Sequence, residues 1–449
     1  MNWRGALYVA AVALRNSEWR AHLREIRGTP AKCLSVEYLD ALLRHATTQV
    51  PFYEGYAPVL DAFPILTRSL LRANEGALQS RDVPLRQIRK SRSGGSTGEP
   101  VWTLHDRSFW QWNYATELFF YESFLDTPWP KGVGASRVVL WHRRVREPLS
   151  LRVKRAVTGW LEPVTFLETY TVMDEETLCD YARRINHARP QIIYAFAGSL
   201  YEIARAAKRN NLRMHPPKLI VTSVEMLYPY MRATIEEVFG CRVHDVYGAA
   251  EVGWVAGECR CGKFHVFSFH NLVEVLDSDD RPVGSGGDGR LVLTPLHEEA
   301  MPLIRYDIGD VGRVGSGECR CGSPLPVLDE IKGRVIEQFL TADGGMVYGG
   351  YFVSLFYDQP WVAQFQVLQE DLDDITVFVN PLPGEGPPVG AIDGVNARIR
   401  AVMGPDCRVR WVEVDEVPQT SLGKHLHTRS LVWEDRRLPR SAPGGGPVV

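Results

Sequence analysis

Lysine is scarce in this chain and long apolar runs are missing. Nine of the 51 basic residues are lysine and the rest are arginine, so each lysine is worth locating individually. No hydrophobic stretch approaches the roughly 18 residues of a membrane-spanning helix, and no membrane partner is expected. The net charge of -3 provides neither the basic face of a nucleic-acid binder nor the acidity of a solvating chain, so nucleic acid is not an expected partner either. Hydrophobic residues at 45% and charged residues at 23% exclude disorder over most of the length. At roughly 100–200 residues per domain, the 449 residues predict two to four domains.

The first residues admit two readings. Ala6 to Leu14 is apolar behind Arg4, and Ala11-Val12-Ala13 has the small residues of a signal cleavage site. Helical spacing continues through Trp19, Leu23 and Ile26, which favours an N-terminal amphipathic helix. Of the eight cysteines, four form two Cys-x-Cys pairs, a spacing that suits metal binding in a reducing compartment better than a disulfide framework. The expected location is cytoplasmic. Cys33, Cys179, Cys241 and Cys407 read as buried thiols.

Leu39, Leu42, Leu43 and Ala46 mark a helix over 36–47, after which Pro51, Pro58 and Pro64 break the chain into turns. From about residue 137, strands at 138–141, 192–196, 219–222 and 242–246 alternate with helices at 175–185, 199–209 and 229–239. Such alternation predicts an α/β fold with a parallel sheet, helices on both faces and ligands at the carboxyl ends of the strands. The loops after 196, 222 and 246 are therefore candidate site loops. Runs at 272–276 and 290–294 predict an antiparallel pair. Beyond Gly333, strands at 362–368, 375–379 and 407–413 with helices at 350–357 and 389–403 predict a compact α+β unit. Ser441 to Pro447 reads as a disordered tail.

Four short motifs carry chemistry. Ser93-Gly94-Gly95-Ser96-Thr97-Gly98-Glu99-Pro100 follows Arg89-Lys90 and can turn N–H and O–H donors around an anion. It lacks the Gly-Lys-Ser/Thr ending of a Walker A loop, and alone it reads equally well as a surface loop. Tyr247-Gly248-Ala249-Ala250-Glu251 follows directly on a predicted strand, where the acid can hold Mg2+ on a nucleotide and the tyrosine can stack on a base. Arg305-Tyr306-Asp307-Ile308-Gly309-Asp310, with Gly333-Arg334 downstream, offers a carboxylate and a guanidinium suited to a ribose diol. Read singly, both are ordinary turns. Pro418-Gln419-Thr420-Ser421-Leu422-Gly423-Lys424 presents one of the nine lysines in a loop near the C-terminus.

Gly257-Glu258-Cys259-Arg260-Cys261-Gly262 and Gly317-Glu318-Cys319-Arg320-Cys321-Gly322 are near-duplicates 60 residues apart. Two such knuckles facing each other supply four thiolates to a tetrahedral zinc. His265 follows Cys259 by six residues, and a resemblance to proteins with a Cys and a His at about that separation makes it the alternative to Cys261, so the candidate ligands are four of Cys259, Cys261, His265, Cys319 and Cys321. Four protein ligands leave no vacant position, which predicts a structural zinc tying the loop after Glu251 to the loop after Asp310.

In this order and spacing, the four motifs resemble the adenylate-forming superfamily of acyl-CoA ligases, peptide-synthetase adenylation domains and luciferases, over about residues 40–430. Ser93 to Gly98 is similar to that family's phosphate-binding loop, with Glu99 where lysine is common. Tyr247, Gly248, Ala249 and Glu251 are similar to its adenine- and Mg-contacting motif, Asp310 to its ribose-binding aspartate, and Gly333-Arg334 to the start of its interdomain hinge. Lys424 is similar to its catalytic lysine. His45 to Tyr53, Phe63-Pro64-Ile65-Leu66-Thr67-Arg68 and Pro302-Leu303-Ile304-Arg305-Tyr306 resemble phenylacetate–coenzyme A ligases and, within that branch, the coenzyme F synthetase and capsule-biosynthesis relatives.

The resemblance implies an ATP- and acid-binding adenylation domain at 1–332, with doubly wound sheets plus an antiparallel subdomain, and a hinge at 333–338. A small mobile α+β domain at 339–435 carries Lys424, and a disordered tail follows at 436–449. The small domain closes for one step and reorients for the next. Ile336 and Glu337 stand where the family commonly has an Asp or Lys pivot. A small carboxylic acid, aryl or medium apolar, is joined to AMP with pyrophosphate release. A thiol, coenzyme A or a carrier protein, then takes the acyl group and AMP leaves. The implied catalytic residues are Lys424, Glu251 and Arg334. The implied pocket is walled by Trp141, His142, Tyr194, Phe196, Gly198, Ser223 and Glu225. ATP, Mg2+ and structural Zn2+ are the implied cofactors. Alternatives are a ligase forming an amide or N–N bond, a nucleotidyl transferase in specialised metabolism, and a zinc-stabilised binding protein without activity. Retention of Lys424, Glu251 and Asp310 argues against the last. A homodimer is left open.

Overall fold

Apolar side chains at helical spacing organise the N-terminal elements of the computed structural model. It describes residues 18–84, 86, 88–92, 101–124, 135–141, 164–169, 175–315, 317–334, 338–342, 346–356, 359, 361–382, 384, 386–417 and 427–432. Trp19, Leu23 and Ile26 form the buried stripe of α1 (Glu18–Gly28), and Leu34, Leu42, Leu43 and Ala46 that of α2 (Ala31–Gln49). Cys33, expected as a buried thiol, is exposed, because it sits one residue off the stripe at Leu34. Cys241 is only half-buried, lying in the turn after a helix, while Cys179 and Cys407 are buried as expected. The signal-like stretch 6–14 and the tail beyond 432 lie outside the described residues. Thr67 starts α3 (Arg68–Ala73) by accepting the Leu70 N–H with its side chain.

β1 (Arg89–Arg92) and β2 (Trp102–His105) pair antiparallel, with Arg92 opposite Trp102. They flank the glycine/hydroxyl loop, whose residues 93–100 lie outside the described residues. Asp106 then caps α4 (Arg107–Glu122) by accepting the Phe109 N–H.

The remainder of the first unit is organised on one sheet of 11 strands. β3 (Arg137–Trp141), β4 (Val164–Glu168), β5 (Ile192–Phe196), β6 (Leu219–Ser223) and β7 (Val243–Ala249) run parallel in the order β4-β3-β5-β6-β7. α5 (Glu175–Ala188), α6 (Ala197–Arg209) and α7 (Pro229–Phe239) lie between successive strands in the chain. The strands carry continuous buried apolar runs, such as Leu219-Ile220-Val221, as a covered parallel sheet requires. β8 (Gly253–Glu258), β9 (Phe264–Val266), β10 (Asn271–Leu276), β11 (Asp288–Pro295), β12 (Tyr306–Val314) and β13 (Val327–Arg334) continue it in the order β8-β9-β13-β12-β11-β10. The expected β10–β11 antiparallel pair forms, with Leu272 opposite Thr294. The antiparallel part is continuous with the parallel part, because β7 pairs with β6 along one edge and with β8 along the other.

The described chain divides after Gly333, and a second unit begins at Arg334. It contains a ribbon of β14 (Gln338–Leu340) and β15 (Met346–Tyr348), α8 (Gly349–Ser354) and α9 (Ala391–Met403). β16 (Val362–Asp371), β17 (Asp374–Pro381), β18 (Arg408–Glu413) and β19 (Thr428–Ser430) form a sheet in the order β18-β17-β16-β19. Gln369, fully buried, donates to the Leu340 carbonyl at 2.7 Å and accepts from the Ser430 hydroxyl at 2.6 Å, joining β14, β16 and β19. Among the described residues, no helix is long and apolar enough to cross a membrane.

Burial sets an acid limit on the first unit. Desolvation holds His244 down to about 4 and His270 down to about 3, and burial with neighbouring His270 depresses His297 well below its usual value. Below pH 6.5 the unfolded chain takes up protons that these folded histidines refuse, so stability falls with pH. Asp245, which burial pushes up to about 7, keeps a proton that the unfolded chain loses and offsets one histidine. The His105–Glu298 pair has opposite shifts that cancel. His270 alone, refusing one proton, adds a slope approaching about 1.4 kcal/mol per pH unit below pH 6. Melting scans should show Tm falling from pH 7 to pH 5, and His270→Leu should make that fall shallower.

Candidate functional site

β7 ends in Tyr247-Gly248-Ala249, and the chain reverses through Ala250-Glu251-Val252 into β8 at Gly253. A Cβ on Gly248 would lie 2.4 Å from the Gly253 carbonyl oxygen, and one on Gly253, whose φ is +71°, would lie 2.4 Å from Asn113 Oδ1. Neither position admits a side chain. Asn113 Oδ1 accepts the Trp254 N–H at 2.8 Å, and Asn271 Nδ2 donates to the Val252 carbonyl at 3.2 Å and the Trp254 carbonyl at 3.0 Å. This turn holds Glu251, only 2% exposed, at the carboxyl end of β7.

Two further elements meet it there. On β12, Asp310 accepts the Tyr247 hydroxyl on Oδ2 at 2.6 Å. At the start of α3, the Arg68 guanidinium lies 3.6 Å from Glu251 Oε1. The segment before Arg68 is stitched to the start of β12, since Leu66 N–H donates to the Arg305 carbonyl at 2.9 Å and Asp307 N–H donates to the Leu66 carbonyl at 3.0 Å. Burial works against the Arg68 charge, but Tyr306, Glu251 and Asp310 outweigh it, and its pKa is raised. Arg68 is a site residue that the motif reading missed. Its only sequence signal is its place at the end of Phe63-Pro64-Ile65-Leu66-Thr67-Arg68, which says nothing about where the guanidinium goes.

The expected pocket residues come together in part. Trp141, ending β3, stacks on Tyr194 of β5 with centroids 5.4 Å apart and lies 4.6 Å from Phe196. Trp254 of β8 also stacks on Tyr194, at 6.1 Å. Among 12 tryptophans the sequence offered no reason to single it out. Ser223 donates to the Val246 carbonyl at 2.8 Å, and Glu225 Oε2 accepts the Gly198 N–H at 2.9 Å. Glu225 is thus a carboxylate at the N-terminus of α6, where the helix dipole favours it. Between them, Val224 has φ +76°, a strained conformation for a β-branched residue. His142, the loop Ser93, Gly94, Gly95, Ser96, Thr97 and Gly98, and Lys424 lie outside the described residues, as does the side chain of Arg334.

A second group forms where the two cysteine knuckles meet. Cys259, His265, Cys319 and Cys321 each bring a donor atom to within 4.8 Å of the others. The Cys259 and Cys319 sulfurs are 3.6 Å apart, close to the edge of about 3.8 Å in a tetrahedron with zinc–sulfur bonds of about 2.3 Å. His265 Nδ1 donates to the Leu325 carbonyl at 3.2 Å, which leaves Nε2 with its lone pair, 3.2 Å from Cys321 Sγ. A metal-binding imidazole is oriented by such a second hydrogen bond. Cys261 is exposed and outside the group, so the geometry favours His265 as the fourth donor. Burial opposes ionisation of Cys319, yet the Cys321 N–H, His265 and the neighbouring thiols bring its pKa down to about 6. That favours the thiolate a soft cation takes. The residues fit a structural zinc.

No protein-family model matches the chain. Among curated proteins it is similar to protein CapK of Staphylococcus aureus, 23% identical over 379 residues that cover 81% of this chain and 79% of that protein. It is also similar to the phenylacetate-coenzyme A ligase of Thermus thermophilus, 30% identical over 172 residues that cover 36% of this chain and 38% of that protein. The matches to phenylacetate-coenzyme A ligases span from 24% to 58% of those proteins. Among solved structures, 2-hydroxyisobutyryl-CoA ligase in the postadenylation state with R3-HIB-AMP superposes with a TM-score of 0.69 at 18% identity, over 88% of each chain. Anthranilate CoA ligase with anthranoyl-AMP gives a TM-score of 0.51 at 17% identity, over 75% of this chain and 65% of that one. The fold is shared with these ligases.

The turn itself is testable without a substrate. Gly248→Ala should force it open and cost about 1–3 kcal/mol as an overpacking substitution, read as a lower denaturation midpoint at unchanged m-value.

Proposed function

The chain belongs to the adenylate-forming superfamily, in its phenylacetate–coenzyme A ligase-like branch, and from that premise we propose that it activates a small carboxylic acid with ATP and passes the acyl group to a thiol. The observation that supports this reading is the group at the carboxyl end of β7, where buried Glu251 and Asp310 face the Arg68 guanidinium. A carboxylate pair with a fixed cation suits a nucleotide. Asp310, oriented by the Tyr247 hydroxyl, would accept the ribose hydroxyl protons. Glu251 would hold Mg2+ on the triphosphate, which supplies charge neutralisation there. Arg68 adds a cation in a chain whose glycine loop has Glu99 where the family commonly has lysine.

In the first step the substrate carboxylate attacks the α-phosphorus and pyrophosphate leaves. Negative charge gathers on the phosphate oxygens, so fixed donors and cations are the main source of acceleration. Lys424 is the group proposed to bridge the α-phosphate and the carboxylate, holding both reactants in attack geometry. In the second step a thiol, from coenzyme A or a carrier protein, attacks the acyl carbonyl and AMP leaves. Trp141, Tyr194, Phe196 and Trp254 form an aromatic group at or near the parallel strand ends, which favours an aryl or medium apolar acid. Zn2+ held by Cys259, His265, Cys319 and Cys321 would be structural, pinning the β8–β9 hairpin to the β12–β13 connection.

Pyrophosphate release from ATP and Mg2+ across aryl and aliphatic acids tests the first step, and addition of coenzyme A to any hit tests the second. Lys424→Ala should slow adenylation on the order of 10²–10³-fold, about 3–4 kcal/mol. Release of pyrophosphate without any thiol-dependent AMP would overturn the thioester step, and retention of AMP on the product would mark nucleotidyl transfer instead. Elemental analysis should find about one zinc per chain. Cys319→Ser should lose that zinc and melt earlier, whereas Cys261→Ser should keep it.

A further inference from the structure

The turn that carries Glu251 has a third support, which neither the motifs nor the proposed chemistry uses. His105 ends β2, the strand that follows the glycine/hydroxyl loop. Its ring is buried and stacked on Phe109, with centroids 4.0 Å apart. Nε2 lies 2.8 Å from the Ala250 carbonyl oxygen and Nδ1 lies 2.5 Å from Glu298 Oε2. A carbonyl only accepts, so Nε2 carries a proton and donates it to Ala250. Glu298 is itself fixed, since its other oxygen accepts the N–H groups of Asp106 at 3.2 Å and Ala300 at 3.1 Å. Asp106 in turn accepts the Glu299 N–H at 2.8 Å and caps α4.

We propose that His105 is a positioning residue for Glu251: with Glu298 behind it, the ring holds the peptide immediately before Glu251 and so sets where that carboxylate stands. The inference rests on the reading of Glu251 as the acid that meets a magnesium nucleotide. Three side chains, of which His105 and Asn271 are buried, then hold consecutive parts of one turn. His105 takes the Ala250 carbonyl, Asn271 takes the Val252 and Trp254 carbonyls, and Asn113 takes the Trp254 N–H. Asn113 and Asn271 act beyond Glu251 in the chain, so His105 alone of the three acts before it. The same ring joins the end of β2 to the turn after β7, 145 residues away in the chain. An imidazole meets both partners at once, because its two nitrogens face in opposite directions. Burial raises Glu298 well above the usual carboxylate range and lowers His105 to about 4.

Two substitutions separate the two ring nitrogens. His105→Asn keeps a polar group at the Nδ1 position for Glu298 but cannot reach Ala250, while His105→Gln places an amide N–H near the Nε2 position. The measurement is the affinity of the full chain for ATP with Mg2+ and for ATP with chelator, by calorimetry, with melting curves for each variant. If Glu251 is positioned through Ala250, the ratio of the two affinities should fall roughly tenfold in His105→Asn, and His105→Gln should recover most of it. A change in folding alone would lower Tm without moving that ratio. Wild-type binding of magnesium ATP with an unchanged ratio in His105→Asn would overturn the positioning role. Equal losses in both variants would overturn it as well. No binding of magnesium ATP by the wild-type chain would instead overturn the reading of the site on which this one rests.

Discussion

Between Gly248 and Gly253 the chain reverses in a space with no room for a Cβ at either end, and the rest of the site is built on that reversal. Because the turn is so short, β8 returns directly along β7, and the sheet changes there from parallel to antiparallel. Ligands of parallel sheets gather at the carboxyl ends of strands. A strand that led away into a helix would carry the following acid off with it. Here the immediate return keeps Glu251 beside the strand end, and Tyr247, still on β7, reaches Asp310 on β12.

Burying Glu251 and Asp310 carries a desolvation penalty that only a paired arrangement offsets. Arg68 provides the opposite charge, and its own burial is tolerated for the same reason. The cysteine–histidine group follows a parallel logic. Three thiols and an imidazole brought this close are uncomfortable as bare neighbours, and a soft dication would satisfy all four donors together. Both groups draw on β8 and the β12 region, so a displacement of either strand would disturb the two of them together.

Much of the architecture is written in local pattern. The stripe Leu42, Leu43 and Ala46 marks α2, the run Ile192 to Phe196 matches β5, and the helix expected at 229–239 is α7. The near-duplicate cysteine knuckles pointed to a metal, and the order of four weak motifs pointed to the superfamily. Other features were not legible. Cys33 turned outward because one residue's difference along a helix rotates it by about 100 degrees. Trp254 is one tryptophan among 12 until it is seen on Tyr194. The choice of His265 over Cys261 depends on a hydrogen bond from His265 to Leu325, 60 residues away in the chain.

By itself, the sequence determined the secondary elements, the fold class and the residue types at which chemistry is expected, because periodicity and turn composition act over a few neighbouring residues. Tertiary structure alone decided that the antiparallel strands continue the parallel sheet, that Arg68 reaches Glu251, and that His105 and Glu298 support the turn from behind. These are pairings across long stretches of chain, from residue 68 to residue 251 and from residue 105 to residue 298. They follow from which buried polar groups must find partners once the core has closed, and a burial requirement of that kind has no local signature.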